Sequence, residues 1–109
     1  KYGLPDGRLY LALVGGTPAG CIALRKLDEE RCELKRLYVR PAFRGRGLAR
    51  LLTEQILRDA RAIGYRKILL DTLPFLESAI RLYRSLGFTD APRYNDSPLD
   101  TTLFLQRDL

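Results

Sequence analysis

No histidine and no methionine occur among the 109 residues of this chain. The first absence excludes Ser-His-Asp and Cys-His nucleophile systems and removes the commonest zinc ligand. The second, with Lys1 as the first residue, predicts a piece of a longer translated product in which further elements precede Lys1, with residues 1–8 forming a loop that leads into a strand. No apolar run approaches the roughly 20 residues of a membrane span, and the N-terminus lacks a signal-peptide pattern. The expected location is therefore the cytoplasm. Cysteine is scarce, at Cys21 and Cys32 only. Pairing through a turn at Asp28 to Glu30 sets Cys32 across from about Leu27 rather than Cys21, so two free thiols in a reducing compartment are expected.

What is present describes one soluble globular domain spanning residues 1–109. Hydrophobic residues make up 46% and charged residues 29%, which excludes disorder. A chain of this length buries roughly two thirds of the surface that its unfolded form exposes. Nineteen Lys and Arg against thirteen Asp and Glu give a net charge of +6. That excess points to anionic partners: nucleic acid, phosphorylated cofactors or acidic surfaces.

The chain opens as an antiparallel meander. "RLYLALV" (8–14) is dense in strand formers and ends at Gly15-Gly16, a hairpin signal; "AGCIALRKL" (19–27) returns. "CELKRLYV" (32–39) follows as a third strand, stopped by Pro41. The period then changes. Leu48, Leu51, Leu52, Ile56, Ala60 and Ile63 recur at helical spacing, with Arg50, Glu54, Arg58 and Arg61 on the wet face, Glu54 pairing Arg58, and Gly64 as the cap. "KILLDT" (67–72) is a continuous apolar run, the mark of a strand covered on both faces, so strand, helix and strand imply a parallel crossover. A second helix follows Pro74 with Leu76, Ala79, Ile80, Tyr83 and Leu86 inward, closed by Gly87 and Phe88. Residues 89–100 read as loop with a short strand around Tyr94, and "TTLFLQ" (101–106) as the last strand.

The chemistry concentrates at "VRPAFRGRGLARLL" (39–52), where the third strand ends and the long helix begins. A helix N-terminus carries unpaired N–H groups and partial positive charge, and glycine lets the backbone approach an anion closely. Arg44 and Arg46 add guanidinium groups suited to phosphate oxygens. The joint suits a phosphate or diphosphate, but it is neither a Walker loop nor a dinucleotide-binding fingerprint.

The order Arg44-Gly45-Arg46-Gly47-Leu48-Ala49 resembles the Arg/Gln-x-x-Gly-x-Gly/Ala signature of the GNAT superfamily of N-acetyltransferases. "CELKRLYVRPAFRGRGLARLL" looks like that family's fourth strand, pyrophosphate loop and third helix, and "AIRLYRSLGF" (79–88) like its helix ending in Tyr-x-x-x-Gly-Phe. With "VGGTPAGCIAL", the likeness covers nearly the whole chain. It implies an α/β (α+β) fold, a mixed and mostly antiparallel sheet with a central parallel β-α-β crossover and helices packed on it. It also implies direct acetyl transfer from acetyl-CoA to an amine-bearing acceptor, with CoA as product and no acyl-enzyme. By resemblance, the pantetheine arm would lie between two splayed strands, against Leu37, Tyr38 and Val39 on one side and Thr72 and Leu73 on the other. The diphosphate would sit on Arg44, Gly45, Arg46, Gly47, Leu48 and Ala49. Tyr83 matches the family's general acid, and Glu33 matches a position that serves some members as general base. As a strand residue, Glu33 also reads as the partner of Lys26 or Lys35 in a cross-strand ion pair.

Two departures stand out. Leu76 occupies the position where many members carry an Asn that contacts pantetheine, and the family's first strand and first two helices have no counterpart ahead of Lys1. Exposing "RLYLALV" as an edge would favour a homodimer. Two alternatives accompany the enzyme reading. One is a module that binds CoA without turnover; the other is a basic nucleic-acid-binding domain, against which stands the lack of exposed aromatics interleaved with the arginines.

Overall fold

The computed structural model describes residues 3–109, and Lys1 and Tyr2 of the expected leading loop lie outside them. Strands β1 (Arg8–Val14), β2 (Thr17–Lys26) and β3 (Arg31–Val39) form the meander. A short 3-10 turn, Pro41–Phe43, leads to α1 (Leu48–Ile63), then β4 (Lys67–Thr72), α2 (Glu77–Ser85), β5 (Thr89–Asp90) and β6 (Leu103–Asp108). The strands share one sheet in the order β1-β2-β3-β4-β6-β5. Only β3 and β4, flanking α1, run parallel; the other pairs are antiparallel. The mixed α+β architecture expected of the sequence is the one observed.

Both helices contribute to a core on one face of the sheet. Leu52, Ile56, Leu57 and Ala60 of α1 and Tyr83 of α2 meet Ile22, Leu24, Leu34, Ile68, Leu70 and Leu105 from the strands. Fully burying one such Leu or Ile contributes about 1.5–3 kcal/mol, so this face supplies most of the apolar stabilisation. Leu51, expected inward, is exposed; 100° per residue carries it off the seam, and Thr53 is buried instead, its Oγ1 donating to the Ala49 carbonyl. Arg58 donates to Gln55 rather than pairing Glu54. Both helices end in a left-handed glycine, Gly64 (φ 110°) and Gly87 (φ 92°). At Gly87 the paired bonds of a Schellman motif form, from the Phe88 N–H to Tyr83 and from the Gly87 N–H to Arg84.

The opposite face is covered differently. Residues 91–102 fold over it, and they contain no strand at Tyr94, contrary to the expectation from composition. The short pairing falls earlier, at Thr89–Asp90, because Pro92 cannot donate to a ladder. Side chains hold the loop instead: the Arg93 guanidinium bonds the carbonyls of Asn95 and Ser97, and lies 5.1 Å from the Phe104 ring centroid. Thr101 and Thr102, expected in the last strand, form a turn, and β6 starts at Leu103.

The hairpin register also differs by one from expectation. Cys32 pairs with Lys26, which sets Glu33 opposite Arg25 instead of Lys26. Both cysteines are free thiols. Further along, two steps on β2 (Cys21 to Ala23) oppose three on β3 (Tyr38 to Lys35), a bulge centred near Arg36 with φ 59°. A left-handed non-glycine costs on the order of 1–3 kcal/mol, and such strain concentrates where geometry serves a site. A bulge bends its strand and increases its twist. Consistent with that, β3 pairs with β4 only over Arg31–Glu33, and the two strands separate beyond it.

Candidate active site

The separation of β3 and β4 opens into a cleft of about 1020 Å³. From β3 it is lined by Leu37, Tyr38 and Val39; from the β4 end by Thr72 and Leu73; and from α2 by Leu76 and Tyr83. Arg44, Gly45, Gly47, Leu48, Ala49 and Arg50 close the far wall. Nearly every residue singled out in the sequence therefore faces one cavity.

The loop before α1 is shaped by Gly45 (φ 79°) and Gly47 (φ 78°), both left-handed and both with open space where a side chain would project. Gly47 is the N-cap of α1, and among the described residues no side chain bonds the amides that open the helix. Three such amides at one terminus, with the helix dipole behind them, favour a negative charge in front. Arg44 donates from Nε to the Val39 carbonyl at 2.9 Å and lies 5.6 Å from the Tyr38 ring centroid, fixed beside the cleft. Arg46, lying between two left-handed glycines, stacks over Phe43 at 5.4 Å, and Phe43 itself lines the cleft. Arg50, read from sequence as a solvated helix position, lines the cleft and bonds Ser85 Oγ at 2.8 Å, tying α1 to α2. The cavity's charged lining is Lys35, Arg36, Arg44 and Arg50 against Asp71. Such a wall attracts anions.

Tyr83 is 6% exposed, packs against Phe88 at 5.7 Å, and reaches the cleft. Burial pushes its hydroxyl up to about 12. At neutral pH the hydroxyl is therefore protonated.

Glu33 is 1% exposed and is not part of the cleft wall. It points to the sheet face without helices, where Oε2 accepts the Tyr94 hydroxyl at 2.6 Å and Lys35 stands 3.6 Å away. Its Oε1 is 2.9 Å from Arg25 Nε, an ion pair without hydrogen-bond alignment. Burial first, and then the bond to Glu33, raise Tyr94 well above the ordinary phenol range. The carboxylate is thus held among Tyr94, Lys35 and Arg25 on that face. Of its expected partners, Lys35 is present; Arg25 and Tyr94 were missed. Asp71 was missed too, although a lone carboxylate near the C-terminal end of a crossover strand is a recognisable signal for a ligand site. Among the described residues no cluster of side chains could hold a metal, and no helix is long and apolar enough to cross a membrane.

The cleft and its loop can be set beside known proteins. A model of the acetyltransferase (GNAT) family matches residues 1–88. An uncharacterized N-acetyltransferase of Schizosaccharomyces pombe is 38% identical over 111 residues, covering 100% of this chain and 68% of that protein. The crystal structure of an acetyltransferase from Streptococcus agalactiae superposes with a TM-score of 0.85 at 27% identity, over 94% of this chain and 67% of that one. A GNAT family acetyltransferase from Elizabethkingia anophelis, solved with acetyl-CoA bound, gives a TM-score of 0.81 over 95% of this chain and 77% of its own; at 23% identity that likeness is one of fold.

Proposed function

Since the chain belongs to the acetyltransferase (GNAT) family, we propose that it transfers an acetyl group from acetyl-CoA directly to a primary amine. The observation that carries this reading is the uncapped start of α1 beside Gly45 and Gly47, opening into the same cleft as the diverging strands and Tyr83. Acetyl-CoA supplies the activated acetyl group as a thioester. The amides of Leu48, Ala49 and Arg50, with Gly45, Gly47 and Arg44, hold its diphosphate. Leu37, Tyr38 and Val39 offer the free edge of β3 to the pantetheine arm, much as a strand accepts an added neighbour. Thr72 and Leu73 face that arm from β4. Arg46, stacked over Phe43 of the cleft lining, adds its positive charge beside that seat.

Tyr83 donates its hydroxyl proton towards the departing sulfur. A thiol's reference pKa is near ~8.5, whereas the hydroxyl stands at about 12, so complete transfer is uphill by roughly 5 kcal/mol. Tyr83 therefore acts as a hydrogen-bond donor that steadies developing negative charge, a role that modulates the rate without controlling it. The acceptor's proton leaves through water in the cleft.

The acetyl-CoA-binding protein without turnover gives the opposite result in one assay. Free thiol released from acetyl-CoA in the presence of a panel of amines, above the rate without amine, supports transfer. Tight acetyl-CoA binding with no amine-dependent release overturns it.

A further inference from the structure

The end of the cleft away from α1 has its own charge pattern. Glu33 and Leu69 are the last paired residues of β3 and β4, so Lys35 and Asp71, two residues further on each strand, face each other across the gap as it opens. Both line the cavity, with side chains 30% and 27% exposed. Lys35 Nζ and Asp71 Oδ1 stand 3.9 Å apart, well beyond the roughly 2.7–2.9 Å of a charge-assisted hydrogen bond.

Each charge is braced from behind. Asn95 Nδ2 donates to Asp71 Oδ2 at 2.7 Å, and Glu33, held by Tyr94, lies 3.6 Å from Lys35 Nζ. These supports come from the loop over the open sheet face and from the base of β3. They give each charge a second partner besides the other.

We infer that Lys35 and Asp71 form the seat for the acceptor's headgroup, and that the acceptor is an α-amino acid or a compound in which a carboxylate neighbours the amine. This rests on the acetyl-transfer reading above. An amine inserted beside Asp71 Oδ1 donates an N–H to it, and the adjoining carboxylate meets the Lys35 ammonium. One loose ion pair is thereby exchanged for two short charge-assisted bonds. A simple amine satisfies Asp71 alone and sets its positive charge against Lys35. A simple carboxylate satisfies Lys35 alone and meets Asp71. The dipolar headgroup is the class that complements both.

The test compares α-amino acids with the matching amines that lack the carboxylate, for example phenylalanine with phenethylamine and leucine with isopentylamine, by thiol release from acetyl-CoA. Because the carboxylate adds a charge-assisted hydrogen bond, kcat/KM should favour the amino acid by about tenfold or more. Lys35→Met should bring the ratio close to one, and Lys35→Arg should restore part of it. Asp71→Asn should raise KM for both members of each pair. Melting curves identify a variant that fails to fold; product inhibition of the parent protein then provides the same comparison, with the N-acetyl amino acid binding more tightly than the N-acetyl amine. Equal use of both members, or a preference that survives in folded Lys35→Met, overturns the inference and leaves acetyl transfer standing. Absence of thiol release with every amine overturns both.

Discussion

Gly20→Ala probes the wall of the cleft from behind. A Cβ built on Gly20 would lie 2.6 Å from the Tyr38 carbonyl oxygen, 3.4 Å from the Val39 Cα and 3.5 Å from a Leu52 methyl. Close carbon–oxygen contacts in proteins fall near 3.3–3.6 Å, so β3 must retreat by about 0.7 Å or more. The obstacle is backbone, which has no rotamer to change. Overpacking of this kind costs about 1–3 kcal/mol, and in a domain of this size 2 kcal/mol lowers Tm by roughly 10 °C. The displaced residues also border the cleft and lead into the loop before α1, so acetyl-CoA affinity should fall along with stability. Gly16→Ala is the control. It sits at φ 80° with nothing within 4 Å, so it costs about 1–2 kcal/mol of conformational strain and should leave binding unaltered. Thermal melts and titration calorimetry on both proteins decide the matter. A Gly20→Ala protein that melts within 2 °C or so of the parent, or binds acetyl-CoA as well, would refute the packing argument.

Two further outcomes follow from the buried hydroxyl and thiol. Tyr83→Phe should lower kcat by about tenfold, with little change in the KM for acetyl-CoA, because a donated hydrogen bond and not a completed proton transfer is lost; an unchanged kcat removes Tyr83 from the chemistry. Burial raises Cys32 from 9.0 and Tyr83 from 10.0, each to about 12. A group whose folded pKa is raised stabilises the fold below its unfolded value and loses that contribution as the pH climbs towards the folded one. Stability should therefore hold to about pH 9 and fall between 9 and 12, as read by denaturant melts, with a shallower decline in Cys32→Val; a slope unaffected by that substitution contradicts the assignment.

Much of the fold was legible because its elements announce themselves locally. β1, α1 and β4 have the limits that periodicity and Gly64 predict, since a strand of alternating burial and a helix with one apolar seam need no distant partner to be recognised. The register of β2 and β3 was not legible to the residue. A slip of one moves a side chain's cross-strand partner, and that is why Glu33 meets Arg25 and not Lys26. The bulge at Arg36, which bends β3 and precedes its parting from β4, leaves no mark in composition. Residues 91–102 were hardest to read. Their course is set by single side-chain bonds, Tyr94 to Glu33 and Asn95 to Asp71, whose partners lie 61 and 24 residues away. The diphosphate loop stood out in the sequence because glycines and arginines at a helix start have a physical purpose, yet that Arg44 bonds the Val39 carbonyl and Arg46 stacks over Phe43 depends on the turn geometry at Gly45 and Gly47.

On the reading proposed here, the open amides at the head of α1, beside Gly45 and Gly47, are a seat for a diphosphate. Calorimetric titration with coenzyme A and with pantetheine, which lacks the diphosphate, tests it most directly. Coenzyme A should bind at least about tenfold more tightly, and the difference should shrink as salt is raised. Pantetheine binding as well as coenzyme A, or no heat from coenzyme A at millimolar concentration, would contradict it.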